Sequence, residues 1–368
     1  MVNEKDEYDI IIENLTKEWG DSMGNQIPRE KWEIPEYSKA EINRAGITIA
    51  NHNIFPEERH AALEILNNWR ASHAYPLQVM SSNLRLRNPN AIVVQRLKRL
   101  ESIIGKIERY PDMNLYRMQD LGGCRVIVNS IDQVYSTLNK YKNSRVRHVL
   151  KRENDYIKNP KLSGYRSYHT VYQFHSDTKE TYNNNLLIEI QFRTTLQHTW
   201  ATAVEMMGIY TKSQLKASLG DEDILRFFAL VSSVFAKMEG TPIVSNTNDD
   251  YNTLIAEIRE IDNRLNLVSR LSALSVAINH VNKNNELKRN GYYVLQLNYN
   301  KKLLKVNFFS KSQIELATNV YNRIEGLNHP DIDVVLVSAT SFDSLKTAYP
   351  NYFTDIGGFV DIMRRILA

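Results

Sequence analysis

Three short segments interrupt an otherwise helical pattern of hydrophobic spacing, and they constrain the fold most. Residues 124–129 (CRVIVN), 170–175 (TVYQFH) and 187–192 (LIEIQF) have the length and the β-branched and aromatic content of strands. Helical spacing resumes at residues 132–141 and 195–209. Helices and strands mixed in this way indicate an α+β or α/β core, and we expect an α+β fold with a central mixed sheet flanked by helices.

The rest of the pattern divides the 368 residues into four predicted regions, a fair length for two domains. A helical region with proline breakers covers residues 1–80, and the core covers residues 81–220. A helical connector covers residues 221–285. A small α/β module, called the C-terminal module below, covers residues 286–368. Its predicted elements are a β-hairpin around Asn300 and Lys301, a helix over 314–324, a strand over 334–338 and an amphipathic helix over 356–367.

Composition excludes several classes of protein. No run of 18 apolar residues is present, so we expect no membrane span. The first 14 residues are acidic and polar, unlike a signal peptide. A single cysteine, Cys124, excludes an internal disulfide and a cysteine-based zinc site. These features together predict a cytoplasmic protein.

Positive charge is modest in total and clustered in position. The net charge is +4. One cluster comprises Arg85, Arg87, Arg96, Lys98, Arg99, Lys106 and Arg109, and a second comprises Lys140, Lys142, Arg145, Arg147, Lys151 and Arg152. Such clusters indicate a polyanionic ligand, either nucleotide phosphates or RNA, although solvated helix faces would have the same density of charge.

Apolar spacing predicts one helix over residues 92–110. Four polar residues of this helix are spaced three or four positions apart and would share one face: Lys98, Ser102, Lys106 and Arg109. Three cations and a hydroxyl on one face suit a triphosphate. A ladder of surface charges is the alternative, but acids would normally be interleaved, and Glu101 and Glu108 fall on other faces.

Two further segments offer a metal ligand and a stacking ring. Asp120 precedes a Gly-Gly turn that enters a predicted strand, where a carboxylate can bind Mg²⁺ together with phosphate oxygens. Tyr165 follows Gly164 in a loop before the next strand and can stack on a base. An ordinary turn and a core tyrosine are the alternative interpretations.

Alternation in the third strand places three polar residues together. Glu189, Gln191 and Arg193 point to one face, with apolar residues opposite. A carboxylate, an amide and a guanidinium on one strand face are typical of a binding site, and a solvated face is the alternative.

These segments, in this order and spacing, resemble the RelA/SpoT synthetase domain over about residues 90–212. The matching patterns are R-x-K-x-x-x-S-x-x-x-K, D-x-x-G-x-R, Y-I-x-x-P-K-x-x-G-Y-R-S-x-H and E-x-Q-x-R-T. The resemblance implies a nucleotidyltransferase-like fold and an ATP-dependent pyrophosphokinase. Such an enzyme transfers pyrophosphate from ATP to a ribose 3′-hydroxyl and releases AMP.

The resemblance also implies roles by position. Arg96 and Arg125 would sandwich the adenine. The implied phosphate ligands are Lys98, Ser102, Lys106 and Arg109. Asp120 and Glu189 would bind Mg²⁺, and Glu189 would also activate the acceptor hydroxyl. Tyr165 would stack on the acceptor base. The other implied acceptor-side residues are Lys158, Lys161, Arg166, His169, Gln191 and Arg193.

The chain departs from the family pattern at two points. Many members carry Glu-His where this chain has Glu205 followed by Met206, which places one family contact in doubt. No His-Asp pair of the hydrolase half occurs in the sequence, so we expect no degradation of the product.

The family resemblance leaves two acceptors open. Members of the commonest kind use GDP or GTP and make ppGpp and pppGpp. Toxic small alarmone synthetases instead modify the 3′ end of tRNA and stop translation. The second basic cluster, with Lys301, Lys302 and Lys305, suits tRNA phosphates. A catalytically inactive RNA-binding protein is a third alternative, which the intact Asp120 and Glu189 disfavour.

The C-terminal module resembles that of the CapRel group of fused toxin–antitoxins. The resemblance lies in Tyr349 and Tyr352 of a Tyr-x-x-Tyr segment, although a tyrosine pair in a turn is the plain alternative. It implies that this segment restrains the synthetase near its ATP site and that a phage protein such as capsid relieves the restraint. We therefore expect a tRNA-modifying protein of anti-phage defence, with a regulated alarmone synthetase as the alternative.

Overall fold

A computed structural model describes residues 32–51, 53–110, 112–211, 213, 215, 220–275, 279–281, 290–298, 303–327, 332–339, 345 and 356–368. The predictions for residues 1–31, for the Asn300–Lys301 turn with Lys302, and for Tyr349 and Tyr352 lie outside the described residues. Within the described residues, no helix combines the length and the apolar character needed to cross a membrane.

Helices and strands are mixed along the described chain. The helices are α1 (Lys39–Ala50), α2 (Pro56–Ala71), α3 (Ala74–Arg87), α4 (Leu100–Arg109), α5 (Ile131–Lys142), α6 (Thr195–Thr211), α7 (Glu222–Met238), α8 (Tyr251–Leu265), α9 (Leu267–Ser275), α10 (Ile314–Gly326) and α11 (Gly357–Leu367). The strands are β1 (Ile92–Leu97), β2 (Gly122–Val128), β3 (Val149–Asp155), β4 (Tyr168–Gln173), β5 (Leu187–Thr194), β6 (Asn279–Val281), β7 (Gly291–Asn298), β8 (Leu303–Phe309) and β9 (Ile332–Ala339).

All nine strands form one sheet in the order β3-β4-β5-β2-β1-β9-β7-β8-β6. The β2–β5 and β6–β8 pairs are parallel, and the other described pairs are antiparallel. The predicted mixed sheet flanked by helices is therefore confirmed. The predicted C-terminal hairpin is also present, since β7 pairs with β8 from Tyr292 opposite Phe309 to Asn298 opposite Leu303.

One strand pair joins the first and last parts of the chain. Strand β1 pairs with β9 at Gln95 opposite Ser338 and Arg96 opposite Val337. Strand β9 pairs in turn with β7 along its whole length. The C-terminal strands therefore extend the sheet of the first 200 residues rather than forming a separate one.

Buried apolar side chains hold helices on the sheet and on one another. The largest cluster lies between the sheet and helices α1 to α5 and includes Trp69, Leu121 and Phe192. A second cluster joins α6, α7, α8, α9 and the final helix α11, with Phe359 of α11 against Phe228 and Phe235 of α7. The second half of β2 is a continuous buried apolar run, whereas β5 alternates buried apolar residues with Glu189, Gln191 and Arg193.

The prediction of one helix over residues 92–110 is wrong in its first half. Residues Ile92–Leu97 form β1, and the helix begins only at Leu100. The run Ile92-Val93-Val94 is β-branched and lies between two partner strands, β2 and β9. Pairing over a long sequence distance thus overrides an apolar spacing that also fits a helix.

Strand β3 was not predicted, because its sequence gives no apolar signal. It contains Lys151-Arg152-Glu153-Asn154-Asp155 and lies at the edge of the sheet, mostly exposed to solvent. Charged residues are usual on such an edge, where they discourage pairing with other chains.

Candidate active site

Strand register brings the predicted site residues to one face of the sheet. Arg96 of β1 is opposite Gly123 of β2, which is opposite Glu189 of β5. Two residues further along, Arg125 is opposite Gln191, which is opposite His169 of β4. Because residues two apart in a strand share a face, four strands present their polar side chains to the same space.

This space is a cavity of about 210 Å³. The residues that line it are Val94, Arg96, Lys98, Asp120, Gly123, Cys124, Arg125, Tyr165, Glu189, Gln191 and Arg193. They come from segments up to a hundred residues apart in sequence. Of the predicted residues, eight line this cavity: Arg96, Lys98, Asp120, Arg125, Tyr165, Glu189, Gln191 and Arg193. The predicted residues outside this lining are Ser102, Lys106, Arg109, Lys158, Lys161, Arg166 and His169.

Asp120 lies between two lysines on one side of the cavity. Its carboxylate accepts hydrogen bonds from Lys98 Nζ and Lys106 Nζ, each at 2.9 Å. Burial alone would raise the pKa of the Asp120 carboxyl, but the two ammonium groups outweigh burial and hold the pKa below its ordinary value. Asp120 is therefore ionised at neutral pH, with each carboxylate oxygen bound to one lysine.

Glu189 begins a chain of hydrogen bonds on the other side of the cavity. His169 Nδ1 lies 2.9 Å from Glu189 Oε1, and His169 Nε2 lies 2.8 Å from the Tyr165 hydroxyl. Since an ionised carboxylate only accepts, His169 Nδ1 donates the hydrogen bond to Glu189. Gln191 Nε2 donates to the second carboxylate oxygen at 2.7 Å.

The charge state of Glu189 follows from these donors. Burial raises the pKa of its carboxyl, and the nearby Asp120 charge acts in the same direction. Hydrogen bonds from His169 and Gln191, with the charge of His169, outweigh both effects and leave the pKa below its ordinary value. Glu189 is thus a carboxylate held in a fixed orientation.

Positive charge exceeds negative charge around the cavity. Four cationic side chains line it, against the two carboxylates of Asp120 and Glu189. Burial, together with the neighbouring charges of Arg125 and Arg96, lowers the pKa of Arg193 to about 9. Arg193 Nε is buried without a hydrogen-bond partner among the described residues. The excess positive charge and the unsatisfied Nε of Arg193 make the cavity suited to an anion.

The loop before β4 presents Tyr165 to the cavity and buries its neighbour. Gly164 adopts a φ of 89°, and a Cβ there would lie 2.8 Å from Ser232, so the turn requires glycine. Lys161 Nζ lies 5.5 Å from the centre of the Tyr165 ring. Lys158 and Lys161 are exposed beside this loop.

Arg166 differs from the acceptor-binding role implied for it. Its side chain is only 3% exposed and points into the protein. It donates to Ser232 Oγ of α7 at 2.9 Å and to the Pro242 carbonyl at 2.6 Å. Arg166 thus links the loop to the helical connector, and its position in the sequence after Gly164 and Tyr165 does not reveal this role.

The predicted phosphate-binding face is shared between two elements. Lys98 lies before α4, in the link from β1, so the idea of one helix face holds only for Ser102, Lys106 and Arg109. Ser102 is half-buried on that helix, while Arg109 is exposed at its last turn and donates to the Gly105 carbonyl. Lys98 and Lys106 nevertheless meet at Asp120.

Comparison with known proteins finds sequence similarity over the segment that contains the cavity residues. Residues 95–215 match the model described as "Region found in RelA / SpoT proteins". Residues 95–215 are called the RelA/SpoT region below, after this similarity. GTP pyrophosphokinase YjbM from Bacillus subtilis (strain 168) is 32% identical over 117 residues, which are 31% of this chain and 54% of YjbM. GTP pyrophosphokinase YwaC from the same organism is 28% identical over 140 residues, 37% of this chain and 66% of YwaC.

The chain thus spans about half to two thirds of the length of these curated relatives. Solved structures with similar architecture include small alarmone synthetase 1 from Bacillus subtilis bound to its product pppGpp. It has 23% identity and a TM-score of 0.40, over 47% of this chain and 92% of that one. A GTP pyrophosphokinase family protein from Streptococcus pneumoniae has 24% identity and a TM-score of 0.39, over 46% and 86% of the two chains.

Two cavity residues of the RelA/SpoT region were not predicted. Val94 and Cys124 line the cavity between the charged side chains, and burial raises the pKa of the Cys124 thiol to about 12. Gly122, in contrast, serves packing rather than ligand approach, because a Cβ there would lie 2.7 Å from Ile188. The sequence does not indicate whether an apolar residue of a strand will border a cavity.

The donor set of this RelA/SpoT region fits Mg²⁺. Asp120 and Glu189 border the same cavity, and Mg²⁺ is commonly held by one or two carboxylates together with substrate phosphates. Among the described residues, no group of three or more His, Cys, Asp or Glu side chains could hold a metal ion. Nucleotide oxygens and water would therefore complete the coordination.

Proposed function

We propose that the RelA/SpoT region is an ATP-dependent pyrophosphokinase that transfers the β,γ-diphosphate of ATP to a ribose 3′-hydroxyl. The observation that carries the proposal is the single cavity in which four cations surround two ionised carboxylates. Transfer of this kind depends on positioning and on charge neutralisation more than on covalent chemistry. The cavity supplies both.

In the proposed reaction the acceptor oxygen bonds to the β-phosphorus, and the bond from that phosphorus to the α–β bridging oxygen breaks. AMP leaves with the bridging oxygen. Glu189 accepts the proton of the acceptor hydroxyl, since it is ionised and held in place by His169 and Gln191. Lys98 and Lys106, which now neutralise Asp120, would bind the transferred phosphates.

Mg²⁺ would be held by Asp120 and Glu189 and, when bound, neutralises phosphate charge. Arg96 lies on β1 and Arg125 on the adjacent strand β2, offset by two residues along the pair. These two guanidinium groups would flank the adenine. Ser102 would add a hydroxyl donor to the phosphates. The exposed Arg109 would reach them only from outside the cavity.

Glu189→Gln tests this assignment. The variant keeps the size of the side chain and removes the base, so we expect transfer to fall by at least about a hundredfold. Binding of an ATP analogue with a methylene bridge between its α and β phosphorus atoms should change little. The exposed Glu180→Gln variant serves as the control. Equal transfer by Glu189→Gln and wild type would exclude Glu189 as the base.

For the acceptor we propose the 3′ end of tRNA. Exposed basic side chains, called the basic strip here, occur in the segment that precedes Tyr165, from the link before β3 through β3 to the loop after it. The basic strip comprises Lys161, Lys158, Lys151, Arg152 and Arg145. It extends beyond what one small nucleotide can contact, and phosphate contacts of RNA are of this kind.

GDP or GTP is the second candidate acceptor. The names of the curated relatives, both GTP pyrophosphokinases, favour it. The double variant Lys151→Glu/Arg152→Glu separates the two candidates. If tRNA is the acceptor, transfer to deacylated tRNA falls while the exposed Lys311→Glu control keeps it. Label transferred only to the guanosine nucleotide would exclude tRNA.

The C-terminal module is proposed to restrain the enzyme through Tyr349 and Tyr352, with a phage protein such as capsid as the releasing partner in a cytoplasmic defence system. Tyr349→Ala or Tyr352→Ala should then make expression toxic, and Glu189→Gln in the same chain should abolish toxicity. Growth unaffected by both tyrosine variants would exclude this restraint.

A further inference from the structure

Helix α4 begins without a cap from its own sequence. The residue before it is Arg99, whose side chain makes no capping hydrogen bond. The first turn of a helix leaves backbone N–H groups that need acceptors. Here Glu325 of α10 supplies one, because its Oε1 accepts from the Leu100 N–H at 2.8 Å. A carboxylate at this end of a helix is also favoured by the helix dipole.

The same glutamate is tied to a buried arginine. Arg70 of α2 is 2% exposed, and its Nη1 lies 2.8 Å from Glu325 Oε2. Arg70 Nε donates to the Lys98 carbonyl at 2.6 Å, and Nη2 donates to the hydroxyl of Tyr321. The guanidinium therefore binds one residue of the link between β1 and α4 and two residues of α10.

These contacts fix the backbone on both sides of a cavity residue. Lys98 is held through its carbonyl by Arg70 and through its N–H by the Leu121 carbonyl at 2.8 Å. Leu100, two residues on, is held by Glu325. On the other side, β1 is paired with β9 at Arg96 and Val337. Elements that follow residue 300 thus contact this stretch directly at Arg96 and Leu100, and they contact Lys98 only through Arg70.

We propose that Arg70, Tyr321 and Glu325 form a clamp that positions Lys98 and helix α4, so that the phosphate side of the cavity depends on the C-terminal module. The three are positioning residues, since they act through the backbone of residues 98 to 100 from behind the cavity. This proposal rests on the proposed function only for the identity of the ligand.

The clamp predicts that the C-terminal module is coupled to the phosphate side of the cavity through α10. This coupling does not require any residue of the module to occupy the cavity. Any displacement of α10 withdraws the acceptor of the Leu100 N–H and leaves the Arg70 guanidinium buried without its carboxylate. An unpaired buried charge is strongly unfavourable. Movement of α10 and loss of order at the start of α4 are therefore coupled.

The test compares four forms of the full chain. Glu325→Gln keeps the shape and weakens the cap. Arg70→Met/Glu325→Leu replaces the ion pair with apolar side chains, which keeps stability because neither charge remains buried alone. Arg323→Gln, an exposed position on α10, is the matched control for wild type.

Hydrogen exchange at the Leu100 amide reports directly on its hydrogen bond to Glu325, and the measurement needs no ligand. We expect exchange about tenfold faster in Glu325→Gln and in the double variant, with the control unchanged. The Kd of the α,β-methylene ATP analogue should rise about tenfold in both, while acceptor affinity and the melting temperature of the double variant stay near wild type.

Unchanged Leu100 exchange in both variants would overturn the clamp. Faster exchange at Leu100 with unchanged affinity for the analogue would show that the clamp is only a structural contact. That result would also overturn the positioning role. Failure of the wild type to bind the analogue would count against the proposed function instead, and the exchange result would still decide whether the clamp exists.

Discussion

Tyr165 shows how one residue combines two contacts that mutation can separate. Its ring borders the cavity and its hydroxyl meets His169 Nε2. Tyr165→Phe keeps the ring and loses the hydroxyl, so acceptor KM should change by less than about fivefold, as for one neutral hydrogen bond. Tyr165→Ala also loses stacking, worth about 1–3 kcal/mol per base, and should raise acceptor KM further. Equal effects of the two variants would contradict a stacking role.

His73 is a buried residue whose protonation the fold opposes. It is 0% exposed between α2 and α3, its Nδ1 donates to the Trp69 carbonyl at 2.7 Å, and its Nε2 is buried without a partner among the described residues. Burial lowers its pKa to about 4, against a smaller opposing effect of the Trp69 hydrogen bond. The native state thus holds a neutral ring.

The sign of the pH effect follows from this difference. An unfolded chain binds a proton at His73 below about pH 6.5, whereas the native state does so only below about pH 4. Stability is therefore lost as pH falls from 6.5 to 4, by about 3 kcal/mol from this group. Urea unfolding at several pH values should show a shallower dependence in His73→Gln. Equal slopes in variant and wild type would contradict a neutral His73.

At the residue level, sequence alone identified most of the cavity. Strand alternation placed Glu189, Gln191 and Arg193 on one face because it is a local property, and the family resemblance added Asp120, which lines the same cavity. Arg166 was misassigned, since its partner Ser232 lies 66 residues away and no local pattern announces that contact.

At the level of elements, the junction between α8 and α9 offers a simple test of the helical connector. Asn266 ends α8 in the left-handed conformation, with φ of 52° and ψ of 39°. Only glycine and, less readily, asparagine adopt this conformation at low cost. Asn266→Gly should leave the unfolding free energy almost unchanged, while Asn266→Val should lower it by about 1–2 kcal/mol. Thermal or urea unfolding of the two variants measures this, and a destabilising glycine would contradict the assignment.

Element boundaries show where local patterns fail. Strands β2, β4 and β5 and helices α5 and α6 were predicted, because each is long enough to show its own period. Strand β1 was read as helix and β3 was missed. The first depends on partners in β2 and β9, and the second has a charged edge-strand sequence. Neither property is visible in a short window of sequence.

For the whole molecule, the final helix tests whether the end of the chain stabilises the middle. Phe359 of α11 is fully buried against Phe228 and Phe235 of α7. Phe359→Ala should cost about 3–5 kcal/mol of unfolding free energy, as for other buried aromatic truncations. Arg365→Ala, exposed on the same helix, is the control. Equal unfolding midpoints for the two variants would show that α11 does not contribute to this core.

The connection between the two ends of the sheet could not be inferred from sequence. The C-terminal hairpin and helix α10 were predicted as a small unit, yet β9 pairs with β1 beside Arg96, and Glu325 reaches Leu100. Contacts separated by more than 200 residues leave no periodic signal. They are also the contacts that link the cavity to the C-terminal module.

Transfer of label measures the central proposal most directly. The full chain, and its Tyr349→Ala variant, would be incubated with Mg²⁺, ATP labelled at the γ-phosphate, and deacylated tRNA, GDP or GTP. We expect one AMP formed for each labelled acceptor, and neither product with Glu189→Gln. Release of ADP in place of AMP, or absence of labelled acceptor from both proteins with all three acceptors, would contradict a pyrophosphokinase.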